Sequence, residues 1–199
     1  MTKLKCTHVS VYSLILEKDT KLFKMVNENL VKLPKEEKAL GMYNFALSFL
    51  RKHGYERYEV SNFAKKNYEC KHNVNTWKMG EYLGFGAGAH GYYNGVRYSN
   101  FENPETYINV LNDNRKPVDM EEKIKRKEKL EETIMLGLRT KYGINLEQIK
   151  AEFKVDLRET KKEAIEKMLA DGLINIVYDK LIATDLGFTV LNQIILELV

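Results

Sequence analysis

Cysteine is scarce in this chain, with two among 199 residues, Cys6 and Cys70. A pair so far apart cannot build a disulfide scaffold and lacks the close spacing of a zinc ribbon or finger. It also excludes an iron–sulfur cluster held by three or four thiolates of this chain alone, and no residue set suggests itself as a metal site. Long apolar runs are missing too. The longest mostly apolar stretch, Val9 to Leu16, is far too short to cross a bilayer, and Met1 to Lys5 has no apolar signal region behind its lysines. The chain is therefore read as cytoplasmic. No Gly-x-Ser-x-Gly or comparable nucleophile turn occurs, so no catalytic residue is assigned.

What is present is the composition of a folded protein: 44% hydrophobic, 30% charged and 11% aromatic residues, enough for one large core or two small ones. The net charge of +4 is uneven about Pro117. Residues 1–118 carry 18 Lys/Arg against 12 Asp/Glu, a balance of +6, and residues 119–199 carry 14 against 16, a balance of −2. Attraction for an anionic ligand belongs to the first part.

His8 to Leu16 is β-branched, aromatic and nearly continuous in hydrophobicity, which predicts a strand covered on both faces in a parallel sheet. Leu22, Phe23, Val26, Leu30 and Leu33 fall at helical spacing until Pro34 interrupts them, and Leu40, Tyr43, Leu47 and Leu50 form a second apolar stripe that Gly54 stops. Tyr55 to Phe63 has strand composition, so strand, helices and strand fit a parallel crossover unit. From Ala64 to Gly80 no period holds, which predicts a long loop. Leu83 to His90 follows, and then Tyr92 to Tyr98 places β-favouring flanks around Asn94-Gly95, a hairpin signal. Asn103-Pro104 opens a short helix through Leu111.

The second part is predicted as a helix from about Met120 to Arg139, a short helix capped by Asn145, and a third near Glu159 to Ala170 with Ile165, Met168 and Leu169 facing inward. A small hairpin over Ile174 to Ala183 and a last helix capped by Thr184 complete it. That order is the order of a winged helix-turn-helix. The domains expected are thus 1–118, an α/β layer, and 119–199, a helical unit with a two-stranded wing. Glu159, Glu163 and Glu166 are interleaved with Lys161, Lys162 and Lys167, and with the balance of −2 this speaks against duplex binding, so no nucleic-acid partner is expected.

Two segments could carry chemistry. Tyr68 to Trp77 gathers a thiol, an imidazole, an amide and the only tryptophan. Cysteine and histidine are usual axial ligands of haem iron, and tryptophan offers a flat face to a macrocycle. The plainer alternative is that Trp77 anchors the loop to the core while Cys70 and His72 are incidental. Gly84-Phe85-Gly86-Ala87-Gly88 is a poor dinucleotide loop, because Ala89 stands at the third glycine and a hairpin follows. A backbone passing close to a ligand or another strand accounts for it better, with His90 at its end either functional or a core histidine.

These motifs, taken in order, carry a resemblance: His8-Val9-Ser10-Val11-Tyr12-Ser13-Leu14, Tyr55 to Ala64, Glu69-Cys70-Lys71-His72-Asn73 and Tyr82 to His90. Over nearly its whole length the chain resembles the carboxy-terminal half of the HemW haem chaperones, a family related to oxygen-independent coproporphyrinogen III oxidase and to the radical S-adenosylmethionine proteins. The resemblance implies the carboxy-terminal part of an incomplete (β/α) barrel followed by a winged-helix-like domain. It implies haem binding by His72, Asn73 and Trp77, within the family motif His-Asn-x-x-Tyr-Trp, although Thr76 stands where the motif has tyrosine. It implies haem or porphyrin and a haem-acceptor protein as partners, with membrane contact only through the acceptor. By analogy with the oxidase, Ile15 and His90 would border the S-adenosylmethionine pocket. The family's cluster-binding Cys-x-x-x-Cys-x-x-Cys is absent, so the 4Fe-4S cluster and S-adenosylmethionine belong to the full-length relatives and this chain alone is expected to be inactive in radical chemistry. The oxidase itself, which decarboxylates coproporphyrinogen propionates, is the competing reading. Exposed apolar surface on such a piece predicts self-association.

Overall fold

The computed structural model describes residues 5–199; Met1 to Leu4, part of the segment read above for a signal region, lie outside them. The chain is mixed α/β and divides into two compact units, 1–69 and 70–199.

The first unit carries β1 (His8–Ser10), α1 (Lys21–Asn27), α2 (Glu36–Lys52), β2 (Glu56–Arg57) and β3 (Asn62–Ala64). Thr20 caps α1 by accepting a hydrogen bond from the Phe23 amide at 3.2 Å. The sheet order is β1-β3-β2, and both pairings are antiparallel. This corrects the parallel sheet expected from sequence. The α1–α2 connection carries the chain from β1 to β2, which run in the same direction, but β3 lies between them. Tyr55 to Phe63 is therefore not one strand: it folds back through buried Tyr58 and Glu59, and the Tyr58 amide donates to the Asn62 carbonyl at 3.1 Å. Val9, Leu47, Leu50, Tyr55 and Phe63 form the core, each such side chain contributing about 1.5–3 kcal/mol on full burial. The two-faced cover expected for His8 to Leu16 is not found either. Regular pairing ends at Ser10, and Tyr12, Leu14 and Ile15 are 72%, 64% and 74% exposed.

The second unit begins with α3 (Lys71–Trp77), continues through β4 (His90–Tyr93), β5 (Val96–Asn100), α4 (Pro104–Asn112) and β6 (Val118–Lys123), and then α5 (Arg126–Leu138). Asn94 and Gly95 take φ of 51° and 73°, the left-handed pair that a two-residue hairpin turn needs, so β4 and β5 pair as the Asn-Gly signal implies. Asn103 accepts from the Thr106 amide at 3.0 Å and Pro104 occupies the first turn of α4. Two expectations fail here. The segment 64–80 is not a continuous loop but contains α3, and Val118 to Lys123 is a strand rather than the first turns of a helix. Pairing with β5 decides the latter: Val96 to Asn100 offers a free antiparallel edge that local periodicity cannot reveal. The pairing also carries the chain across the expected break at 118/119, and Arg97 on β5 bonds Glu132 on α5 at 2.7 Å.

The rest of this unit is β7 (Ile144–Asn145), α6 (Leu146–Phe153), α7 (Leu157–Thr160), α8 (Lys162–Ala170), β8 (Ile174–Val177), β9 (Lys180–Ala183), α9 (Asp185–Thr189) and α10 (Leu191–Leu198). Asn145, Asp156 and Thr184 each cap the helix that follows through a side-chain oxygen. Ile134, Leu138, Leu146, Ile174, Leu181, Ile194 and Leu198 are fully buried in its core. Ile165 and Met168 face inward as expected, whereas Leu169 is 40% exposed. Among the described residues no helix is long and apolar enough to cross a membrane.

Candidate functional site

The short helix α3 carries the residues that sequence placed in a haem site. Its first turn closes when the Val74 amide donates to the Cys70 carbonyl at 3.0 Å, and the Thr76 hydroxyl donates back to the His72 carbonyl at 3.1 Å. It ends where Met79 turns to a φ of 57° and the Asn75 amide donates to the Glu81 carbonyl at 3.0 Å. Helical geometry then sorts the side chains. His72 and Thr76 are four apart and share a face, as do Asn73 and Trp77, whereas His72 and Trp77 are five apart and so about 140° apart around the axis. The structure thus brings Asn73 and Trp77 to one side of α3 and His72 to another.

His72 is exposed, and its ring lies edge-on to Tyr82 with centroids 5.8 Å apart and planes at 85°. Among the described residues neither ring nitrogen has a hydrogen-bond partner. Asn73 and Trp77 are half-buried. Trp77 lines a cavity of about 340 Å³ within the second unit, shared with Tyr142, Ile144, Ile149 and Phe153. Lys78 and Lys180 also line it, and the Lys78 ammonium stands 5.2 Å from the centre of the Tyr142 ring. Tyr142 and the two lysines are not singled out by sequence; no spacing rule joins residues from the end of α3, β9 and the α5–β7 turn.

The glycine segment does what the close-approach reading requires. A Cβ on Gly84 would run into the His90 backbone carbonyl, and Gly86 and Gly88 take φ of 104° and 68°. Buried Asn100 holds the turn by donating its amide to the Gly86 carbonyl at 2.9 Å and the Gly84 carbonyl at 3.3 Å. His90 is an exposed residue at the start of β4, not a core histidine. Ile15 belongs to the first unit, in the irregular segment after β1.

Among the described residues no group of three or more His, Cys, Asp or Glu side chains could hold a metal ion, and Cys6 and Cys70 belong to different units. The donor set therefore does not fit an iron–sulfur cluster. Elsewhere, Glu59 is a buried carboxyl. Burial pushes its proton affinity up, against lowering hydrogen bonds from the Ser61 and Asn62 amides and the Asn62 side chain.

Residues 124–190 match the HemN C-terminal domain family. The chain is 36% identical over 192 residues to the heme chaperone HemW of Lactococcus lactis, covering 96% of this chain and 50% of that protein. It is 34% identical over 172 residues to HemW of Bacillus subtilis, covering 86% and 45% respectively. With the mitochondrial radical S-adenosyl methionine domain-containing protein 1 of Mus musculus it shares 32% identity over 208 residues, covering 96% and 46%. Among solved structures, the coproporphyrinogen III oxidase HemN of Escherichia coli, a radical SAM enzyme, superposes with a TM-score of 0.74 at 14% identity, over 99% of this chain and 49% of that one. The chain spans about half the length of the curated relatives it matches.

Proposed function

We propose, from the match of this chain to one half of the HemW chaperones and of its residues 124–190 to the HemN C-terminal domain family, that it is a haem-binding module of the HemW type, which holds preformed haem and hands it to an acceptor protein. The observation that carries this reading is the imidazole of His72, exposed on α3 and without a hydrogen-bond partner among the described residues. A neutral imidazole is an axial ligand of haem iron, and one at the surface can bind and release iron without opening a core. Tyr82, edge-on to the ring, limits its rotation. Asn73 and Trp77, the remaining residues of the motif, lie on the other side of the helix, where Trp77 offers a flat apolar face.

On the same premise, residues 1–118 correspond to the carboxy-terminal portion of the relatives' (β/α) barrel, from whose parallel sheet the antiparallel pairing of β1, β3 and β2 departs, and residues 119–199 to a winged-helix-like domain, supported by the helix, hairpin and helix order after β6. Ile15 and the turn ending at His90 are the chain's candidates for bordering S-adenosylmethionine. In the full-length relatives that cofactor and a 4Fe-4S cluster supply radical chemistry; the cysteines described here do not fit the cluster, and this chain alone is proposed to lack that chemistry. The oxidase reading gains no support from the superposition, which at 14% identity speaks to the fold alone.

The test is a haem titration followed by absorbance, on wild type and His72→Ala, with thermal midpoints measured on the same samples. Weakened binding and loss of the low-spin spectrum at an unchanged midpoint are expected. Unchanged affinity and spectrum would remove His72 from the site and return it to a structural role.

A further inference from the structure

We propose that the cavity lined by Trp77 is a second ligand site, separate from His72, that takes a planar aromatic carboxylate and anchors it through Lys78 and Lys180. The walls set the shape of the ligand. Trp77, Tyr142 and Phe153 present aromatic surface, and Ile144 and Ile149 add aliphatic surface. Gly137 and Gly143 contribute no side chain, and neither could: a Cβ at Gly143 would meet the Leu181 carbonyl, and one at Gly137 would come within 2.5 Å of the Ile144 side chain. The volume of about 340 Å³ accommodates a small aromatic ligand or one edge of a tetrapyrrole.

The polar groups set its charge. Thr133 and Thr140 line the cavity, but their hydroxyls donate to the Lys129 and Gly137 carbonyls at 2.6 and 2.9 Å and are occupied by their own helix. Glu152 is paired with Lys129 at 2.8 Å. Lys78 and Lys180 have no carboxylate partner among the described residues, so two ammonium groups at an aromatic cavity are left for a ligand. Lys78 sits over the Tyr142 ring at 5.2 Å. An anion bound at this rim displaces no ion pair from Lys180 and only a weak ring contact from Lys78.

The choice of a porphyrin as the physiological occupant rests on the haem-handling reading; the preference for a planar carboxylate does not. Since Trp77 and His72 face different sides of α3, propionate anchoring and iron ligation fall to different residues. Metal-free protoporphyrin IX isolates the cavity, because without iron it cannot be ligated by His72, and Trp77 is the only tryptophan of the chain and reports from within the site.

Fluorescence titration of the whole chain with protoporphyrin IX should give saturable quenching of Trp77. In the double variant Lys78→Gln, Lys180→Gln the half-saturation concentration should rise at least tenfold at an unchanged urea midpoint. The protoporphyrin dimethyl ester should bind wild type as weakly as the diacid binds the double variant, and His72→Ala should leave diacid quenching unaltered. Absence of saturable quenching, equal binding of ester and diacid, or an effect of His72→Ala as large as that of the lysine pair would each overturn the proposal. A haem absorbance titration on the same proteins separates the two readings: if haem still binds through His72 while Trp77 is unquenched, the cavity proposal alone fails.

Discussion

Asn100 offers a quantitative test of how the glycine turn is held. Its side chain is 4% exposed, and one amide group supplies hydrogen bonds to both the Gly84 and Gly86 carbonyls, while its backbone amide donates to Ala89 at 2.9 Å. Asn100→Ala removes both side-chain bonds and leaves two half-buried carbonyls without a donor. The net worth of each bond and the desolvation of the abandoned groups together amount to about 2–4 kcal/mol. With a urea dependence of about 2 kcal/mol per M, the midpoint of the second unit should fall by about 1–2 M. Trp77 lies in that unit, so its fluorescence follows the transition directly. Asn100→Asp sharpens the assay, since it preserves shape but turns a donor into an acceptor facing two carbonyls. At neutral pH it should be at least as damaging as alanine, and because burial beside two carbonyl oxygens raises the carboxyl's native proton affinity, stability should partly recover as pH falls through that raised value towards the ordinary carboxylate range of about 4. A change of less than about 0.5 kcal/mol in both variants would mean that water replaces the amide and that the turn does not depend on Asn100.

Glu59→Gln should raise the thermal midpoint at neutral pH and lose that advantage on acidification. Burial raises the native affinity of Glu59 for its proton above the unfolded value, so the native state binds more protons and the wild type loses stability as pH climbs from about 4.3 through the raised native value; a pH-independent difference between variant and wild type would contradict this. Gly143→Ala combines a φ of 62° with a Cβ that meets the Leu181 carbonyl, and should cost at least about 3 kcal/mol by prising β7 from β9, read as a fall in urea midpoint; a near-neutral variant would show that the strand can shift. The apolar surface at Tyr12, Leu14, Ile15 and Phe45, each more than 60% exposed, should drive self-association visible by sedimentation velocity and reduced by Ile15→Glu with Phe45→Glu; a monomer at every concentration would refute it.

The elements that sequence determined by itself are those whose cause is local. Asn94-Gly95 needs only left-handed backbone freedom to make a hairpin turn, Asn103 and Pro104 need only the orphan amides of a first turn, and Asn145 and Thr184 cap their helices for the same reason. The haem-type motif was legible as a string of residue types, and so was the need for a bare backbone at Gly84. Partner and direction belong to the tertiary structure. A run such as Val9 to Leu16 states that it is apolar, not what covers it, and here only Val9 reaches full burial. Whether two strands pair in parallel depends on what lies between them, and β3 entered between β1 and β2 through a reversal at Tyr58 to Ser61 that no periodicity announces. Val118 to Lys123 became a strand because β5 offered an open edge. In the candidate site, sequence puts His72 and Trp77 in one motif but cannot say how they are turned; α3 sets residues five apart about 140° around its axis, with His72 exposed and Trp77 half-buried at a cavity.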